Sequence, residues 1–300
     1  NAHEKSAKNI NAYLVEGDDI VIEKRRKPLC NVLNIIKGNY YAKSEGLIIE
    51  EKDLDYLVKN EPNTKKWIKL LIGADEFINN RKRYCLWLVD CPPDELRKMP
   101  LVMERVNRVR EDRLKSTDKG MQNLAPIRFR ETNNPDKCIV IPVVSSEKRP
   151  YIPIGFIDKN TISTNGNLII PNGDLFLFGQ LTSLMHMAWV KYTCGRLKSD
   201  YRYSKDLVYN NYPFPKNVSE KQKKAVEEKA QNVLDIRASF SDCSLADLYD
   251  PLSMPPNLKK AHQELDKAVD NCYGSKLFKN DKERIEFLFG LYEEYLNTQK

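Results

Sequence analysis

The segment from Trp189 to Lys216 carries the side chains best suited to chemistry with a polyanion. It contains six cations, two acids and five tyrosines. Cations neutralise phosphates, and long planar or bidentate side chains read the edges of bases. These residue types predict a nucleic-acid-binding segment, although a solvated basic strand with local charge pairing has the same composition.

Within this segment, residues 198–203 read KSDYRY. In an extended strand, this alternation places Lys198, Asp200 and Arg202 on one side, within about 14 Å of chain. A lysine donates to guanine O6 and N7, and an aspartate accepts from cytosine N4. These three residues are therefore candidate base readers, and a solvated basic strand with local charge pairing is the alternative. The flanking cations are candidate contacts to the DNA backbone: Lys191, Arg196 and Lys205.

A second basic element is the predicted helix over residues 100–116. Arg105 and Arg108 lie three residues apart and share a helix face, with Arg113 further round. Such a row would clamp phosphates and position DNA without reading its sequence. A charged solvent face, paired with the acids of the same helix, explains the pattern equally well.

Motifs for methyl transfer are missing. The chain has no G-x-G turn to bind S-adenosylmethionine, and the (Asn/Asp)-Pro-Pro-aromatic loop that holds a flipped base is absent. The nearest match, residues 90–94 (DCPPD), has Cys91 in place of the amide or acid and Asp94 in place of the aromatic ring. We interpret it as a proline-started helix. His186 lies in an apolar run and is interpreted as a core histidine.

A nuclease site is the enzymatic alternative. Asp136, Glu147 and Lys148 surround the predicted strand Cys138–Val144, and two acids with a lysine are the groups used in metal-dependent phosphodiester cleavage. The usual pattern separates the last acid and the lysine by one residue, whereas here they are adjacent and Arg149 takes the position of the lysine. We predict no catalytic residue and no metal site in this chain.

Composition sets the wider limits. The 300 residues are 41% hydrophobic and 30% charged, with a net charge of +7, which tolerates a polyanionic partner without requiring one. No stretch approaches the ~20 apolar residues of a membrane span, and the start has no secretory signal. The seven cysteines form no C-x-x-C pair and predict reduced thiols in a cytoplasmic protein. Asn1-Ala2 without an initiator Met suggests an excised fragment.

Strands and helices alternate irregularly before about Lys216, and helices follow it. The boundary predicts an α+β fold, in which a mixed α/β domain precedes a helical C-terminal module. The predicted strands are 19–23, 83–89, 127–129, 138–144, 151–156 and 168–170. The predicted helices are 65–71, 100–116, 175–192 with Gly195 as its C-cap, 219–240 with a capping sequence, 256–271 and 281–297.

Ten short segments, in order along nearly the whole chain, resemble the C-terminal half of the MmeI-like (type IIL) restriction–modification enzymes. They are NAYLVEG at 11–17, KPLC at 27–30, GADEFIN at 73–79, RYCLWL at 83–88, SSEKR at 145–149, YIPIG at 151–155, MHMAW at 185–189, GRL at 195–197, YRYS at 201–204 and SLADLYDP at 244–251. These enzymes combine nuclease, adenine-N6 methyltransferase and target-recognition domain in one polypeptide.

The resemblance implies a lead-in from the methyltransferase domain at 1–30, a target-recognition domain at 31–215, similar to the recognition domains of type I specificity subunits, and a helical domain at 216–300. It implies sequence-specific binding of double-stranded DNA, with S-adenosylmethionine bound upstream and no cofactor in this fragment. The expected partners are DNA and the upstream methyltransferase domain. The resemblance also strengthens Lys198, Asp200 and Arg202 as base readers. Weaker DNA candidates are Asn165, Asn167, Lys148 and Arg149. A protein-interaction module without DNA binding is the non-enzymatic alternative.

Overall fold

The computed structural model describes residues 8–16, 19–274 and 278–298. Parts of the predicted lead-in, residues 1–7 and 17–18, lie outside the described residues. The strands are β1 (Ile36–Lys37), β2 (Ile48–Glu50), β3 (Ile68–Ile72), β4 (Arg83–Leu86), β5 (Lys137–Pro142), β6 (Val144–Ser145), β7 (Gly155–Asp158), β8 (Thr161–Ser163), β9 (Asn167–Pro171), β10 (Gly195–Leu197) and β11 (Asp200–Arg202).

The α-helices are α1 (Glu51–Asn60), α2 (Ala74–Asn79), α3 (Pro93–Leu96), α4 (Pro100–Leu114), α5 (Lys119–Gln122), α6 (Leu175–Leu181), α7 (Leu184–Thr193), α8 (Glu220–Ala238), α9 (Leu245–Leu248), α10 (Pro256–Cys272) and α11 (Asp281–Thr298). Two 3₁₀-helices, Glu45–Leu47 and Pro62–Trp67, and a π-helical turn, Lys205–Tyr209, complete them. The chain forms two compact units. The sheet unit comprises residues 36–140 and 156–172, and the helical unit comprises the described parts of 1–35, 141–155 and 173–300.

The sheet unit is built on two four-stranded sheets, in the orders β1-β9-β5-β7 and β2-β4-β3-β8. Helix α4 buries Val102, Val106 and Val109 in a core with Leu47 and Phe129. The spacing of these valines along α4 places them on one face of the helix.

Arg113 of α4 is also buried, contrary to its prediction as part of a phosphate-facing row. Its guanidinium donates to the carbonyl oxygens of Lys43, Leu124, Ala125 and Arg128 and to the Ser44 hydroxyl. These bonds supply partners to polar groups of the surrounding backbone, which are costly to leave unpaired in the interior. Arg113 is therefore a structural residue.

The helical unit packs α8 against α6 and α10, and α7 against α11. Gly179 allows the close approach of α6 to α8, because a Cβ there would lie 2.6 Å from Val226 Cγ1. Trp189 of α7 is fully buried, and its indole nitrogen donates to the Val208 carbonyl at 3.0 Å. His186 contacts the Tyr203 hydroxyl at 2.9 Å, and burial lowers the pKa of His186 to about 3. His186 is a neutral core residue, as predicted.

Local signals located the C-terminal helices well. Ser219 caps α8 in a capping box with Gln222, and Pro256 begins α10. Pro93 begins α3, so the Asp90–Asp94 motif is an ordinary proline-started turn.

The following predictions of local structure were wrong. Residues 19–23 and 127–129, all of which the structure describes, are not in strands. The predicted helix 65–71 is a 3₁₀-helix that ends at Trp67, followed by β3. The predicted helix 175–192 is two helices, because the Ser183 side chain caps a new start at the His186 amide. Gly195 is the first residue of β10 rather than a C-cap.

Candidate nucleic-acid interface

The predicted base-reading segment folds as a hairpin in the helical unit. Strands β10 and β11 pair antiparallel with Gly195 opposite Arg202 and Leu197 opposite Asp200, which leaves Lys198 and Ser199 as a two-residue loop. Lys198 has a φ of 56°. A left-handed residue at the first loop position turns the chain between two twisted strands, and in a non-glycine residue it stores strain.

This geometry corrects the predicted arrangement of the three readers. Asp200 and Arg202 lie on one face of β11, as expected from their spacing. Lys198 lies in the turn and is not part of the same strand. The hairpin therefore presents an acid and an arginine from a strand, with an exposed lysine at its tip.

The opposite face anchors the hairpin. Tyr201 is 4% exposed, and the Arg196 guanidinium lies 4.2 Å from its ring centroid. Strand β11 also pairs with β6, with Tyr201 opposite the buried Ser145. Since Tyr201 points to the interior, the neighbouring Asp200 and Arg202 must point the other way.

The loop that follows β6 supports the hairpin from one side. The Glu147 amide donates to Asp200 Oδ1 at 3.3 Å, and Glu147 Oε2 lies 3.5 Å from Arg196 Nη1. Arg196 also donates to the Ser199 carbonyl at 3.0 Å. The Asp200 carboxylate is thus held by a backbone group, whereas Arg196 is held by an exposed carboxylate that a phosphate could replace.

Lys148 and Arg149 belong to the same surface. Lys148 is exposed and Arg149 is half-buried. Burial lowers the pKa of Arg149, while the charges of Asp200 and Asp250 act in the opposite direction. Residues 145–149 and 195–202, which we call the basic hairpin surface, carry five cations and two acids. Their net charge of +3 suits a polyanion.

The other predicted backbone contacts of the helical unit already have ionic partners. Lys191 of α7 forms an ion pair with Asp281 at the start of α11. Lys205 lies 3.8 Å from the carboxylate of its neighbour Asp206. Both side chains are about one-third exposed, so a phosphate would have to share them with these carboxylates.

In the sheet unit, the arginines of α4 differ in their environment. Arg105 is half-buried and donates to the Ile48 carbonyl at 3.0 Å and the Gly46 carbonyl at 3.4 Å. Burial, and then the charge of Arg108, lower the pKa of Arg105. Arg108 is exposed and pairs with Glu104 at 3.0 Å, one helical turn away. Arg108 is therefore the accessible member of the pair.

The two asparagines predicted as weaker candidates also differ. Asn165 is exposed in the turn between β8 and β9. Asn167 is fully buried, and its amide nitrogen donates to the Ile72 carbonyl and the Ser163 hydroxyl, both at 3.3 Å. Asn167 is therefore a structural residue that no bound molecule reaches without unfolding, because its side chain has no exposed surface.

The nuclease candidates belong to separate units. Asp136, in the sheet unit, lies 3.6 Å from Lys159, and Glu147, in the helical unit, pairs with Arg196. Among the described residues, no group of three or more His, Cys, Asp or Glu side chains is arranged to hold a metal ion. Each acid thus has a local structural partner.

Sequence reasoning missed two features of this surface. The loop around Glu147 is expected from the sequence to be DNA-facing or structural, but nothing in the sequence indicates that the Glu147 amide supports Asp200. Leu197 is 49% exposed and lies directly across from Asp200. A signal for Leu197 was present, because a single aliphatic residue stands between Arg196 and Lys198 in an otherwise polar stretch.

Along the chain, a stretch of mixed strands and helices that includes the basic hairpin precedes a run of helices. The family model of the MmeI target recognition domain matches residues 16–216, and that of the MmeI C-terminal domain matches residues 218–299. The chain belongs to the MmeI target-recognition family, which confirms both the resemblance and the predicted fold class.

Two relatives are similar over nearly the whole chain. DNA methyltransferase A of Bacillus subtilis (strain 168) is 40% identical over 293 residues, which are 97% of this chain and 33% of that protein. The structure of the type IIL restriction–modification enzyme MmeI in complex with DNA matches with a TM-score of 0.91 and 43% identity, covering 97% of this chain and 39% of that one. The chain thus spans about a third of the length of its relatives. Within the described residues, no helix is long and apolar enough to cross a membrane.

Proposed function

We propose that this chain recognises a specific sequence of double-stranded DNA for an adenine-N6 DNA methyltransferase of the restriction–modification class. The observation that carries the proposal is the basic hairpin surface, on which Asp200 and Arg202 share an exposed strand face beside the tip residue Lys198. The two relatives, a DNA methyltransferase and a DNA-bound restriction–modification enzyme, support it.

The base-reading step follows from the donors and acceptors on this face. Arg202 donates to guanine O6 and N7, Asp200 accepts from cytosine N4, and Lys198 donates to a further guanine. Each well-formed contact discriminates against a wrong base by about 1–3 kcal/mol. Since the Glu147 amide already holds the Asp200 carboxylate, little side-chain freedom is lost on binding.

The proposed backbone contacts are cations of both units and one neutral amide. The cations neutralise phosphates and set the register of the duplex without reading sequence. In the helical unit the candidates are Arg196, Lys148, Arg149, Lys191 and Lys205, and in the sheet unit they are Arg105, Arg108 and the neutral Asn165. The environments of Arg196 and Arg108 make them the strongest of these.

The domain layout completes the proposal. Residues 1–30 lead in from a methyltransferase domain, residues 31–215 recognise the target, and residues 216–300 form the helical C-terminal domain. The upstream domain binds S-adenosylmethionine and carries out methyl transfer in the cytoplasm. The present chain contributes no catalytic residue and no G-x-G turn for the cofactor.

The test exchanges charge at the hairpin of the intact methyltransferase. We expect Lys198→Glu combined with Asp200→Arg to change the DNA sequence that is methylated, read by sequencing that detects N6-methyladenine. The matched control exchanges the same charges on the exposed face of α8, Lys221→Glu with Asp235→Arg, and keeps the original sequence. Methylation of the original sequence by the hairpin variant would refute the base-reading role.

Two further results decide between the alternatives. Absence of DNA binding even at low salt favours a protein-interaction module. Mg²⁺-dependent DNA cleavage that disappears in Asp136→Asn favours the nuclease.

A further inference from the structure

Leu197 is an exposed aliphatic side chain within the basic hairpin surface. It is 49% exposed and lies between Arg196 and Lys198. An exposed leucine is unremarkable on a protein surface in general. Its position here is specific, because the strand pairing puts Leu197 directly opposite Asp200.

The strand pairing fixes the face of the hairpin on which Leu197 lies, because Leu197 is the partner of Asp200. Residues that pair across antiparallel strands project to the same face. Leu197 therefore shares a face with Asp200 and Arg202, while Arg196 and the buried Tyr201 form the opposite, anchoring face. The hairpin is thus held by one face, and Leu197 lies on the other.

Gly195 keeps this face open. It pairs with Arg202, and a Cβ built on Gly195 would meet no heavy atom closer than 3.8 Å. The Arg202 side chain therefore has no side-chain neighbour on β10, and Leu197 is the single β10 side chain on this face. An acid, an arginine and one aliphatic group are presented together.

We propose that Leu197 reads the C5-methyl group of a pyrimidine in the major groove, beside the base pair that Asp200 contacts. The inference rests on the proposed function, since it requires this face to enter the groove. The thymine methyl is the apolar group that unmodified base pairs present there. Cβ atoms of cross-strand partners lie about 5 Å apart, and neighbouring bases on one strand lie about 3.4 Å apart, so Leu197 and Asp200 reach the same or adjacent base pairs.

The methyl group can belong to thymine or to 5-methylcytosine, and base analogues distinguish the two. The preferred site is first selected from random duplexes with the full chain. Each thymine is then replaced by deoxyuridine, which lacks only the methyl group, and each cytosine by 5-methylcytosine. Burial of one methyl group corresponds to about a fourfold change in the dissociation constant.

We expect one position, at or next to the base pair whose identity changes in Asp200→Arg, to show this fourfold dependence on the methyl group. Loss with deoxyuridine identifies thymine, and gain with 5-methylcytosine identifies a modified cytosine. Leu197→Ala should abolish the dependence, whereas Leu197→Met, which keeps an apolar side chain, should retain most of it. The control Leu252→Ala, at a fully exposed leucine outside this surface, should leave it unchanged.

The outcomes separate this inference from the proposed function. Sequence-selective binding that is indifferent to every methyl group refutes the role of Leu197 and leaves the proposed function standing. A methyl dependence that persists in Leu197→Ala also refutes the role of Leu197 and leaves the proposed function standing. Absence of any sequence preference refutes both. Thermal unfolding of Leu197→Ala close to that of Leu252→Ala confirms that a lost dependence does not come from a disrupted hairpin.

Discussion

Removal of the Glu147 charge should strengthen DNA binding. In the free protein, Glu147 Oε2 lies 3.5 Å from Arg196 Nη1, and both side chains are about 40% exposed. Such exposed pairs contribute less than about 1 kcal/mol to stability, so Glu147→Gln should stay folded. The backbone amide that donates to Asp200 remains in place, which leaves the face with Asp200 and Arg202 unchanged.

The magnitude follows from counterion release. If Arg196 gains a phosphate when Glu147 no longer competes for it, the slope of log K against log salt steepens by about 0.9. One such contact corresponds to about an eightfold gain in affinity at 0.1 M salt and about a threefold gain at 0.3 M. The gain should be equal for the target and for a scrambled duplex, because phosphates carry no sequence information.

Fluorescence anisotropy with both duplexes, from 0.05 to about 0.3 M salt, measures the affinity and the slope together. The matched control is Glu294→Gln on α11. It removes an equivalent charge from the ion pair between Glu294 and Lys216. If Glu147→Gln and Glu294→Gln give the same affinity and the same slope, Arg196 does not contact a phosphate. A gain confined to the target duplex would instead indicate that Arg196 reads a base.

Two further predictions concern α4 and the helical core. Arg108→Ala should weaken binding to every DNA sequence and reduce the salt slope by about 0.9. Arg105→Ala should weaken binding less than Arg108→Ala does and should lower the unfolding temperature more, because the Arg105 guanidinium already donates to backbone carbonyl groups. Equal effects of the two variants in anisotropy and in thermal unfolding would contradict this difference. Burial raises the pKa of Asp266 to about 7, above its ordinary value of 3.8. The folded protein therefore binds this proton more tightly than the unfolded chain does. The resulting stabilisation is fully present below pH 3.8 and is lost as the pH rises through 7. Between pH 5 and 8 the wild type should therefore lose about 3 kcal/mol relative to Asp266→Asn in urea unfolding, and a constant difference would refute the raised pKa.

Local chemistry explains what could be predicted of the fold. The capping box at Ser219 and the proline at Pro256 define helix starts within a few residues of sequence, so α8 and α10 were located closely. The strand β3 was missed, because residues 68–72 contain no turn signal that separates them from the preceding 3₁₀-helix. Residues 68–72 form a strand because they pair with β4 and β8. Pairing with other segments of the chain is not visible in the local sequence.

The candidate site was predicted in its composition but not in its shape. The spacing of Asp200 and Arg202 correctly indicated a common face. The turn at Lys198 was not recognised, because two-residue hairpins usually carry glycine or asparagine at a left-handed position. Burial was the other source of error: Asn167 and Arg113 are polar, and only the tertiary fold reveals that both are enclosed and hydrogen-bonded.

The hairpin separates the residues that hold it from those that would read DNA. Tyr201 and the β6 pairing anchor one face, so changes on the other face should disturb folding little. Exposed substitutions typically alter stability by less than about 0.5 kcal/mol, whereas a base contact is worth about 1–3 kcal/mol. Recognition can therefore change at Lys198 or Arg202 at small cost in stability. Asp200 is more constrained, because the Glu147 amide would lose its acceptor, and this predicts that new specificities arise more readily at the tip than at Asp200.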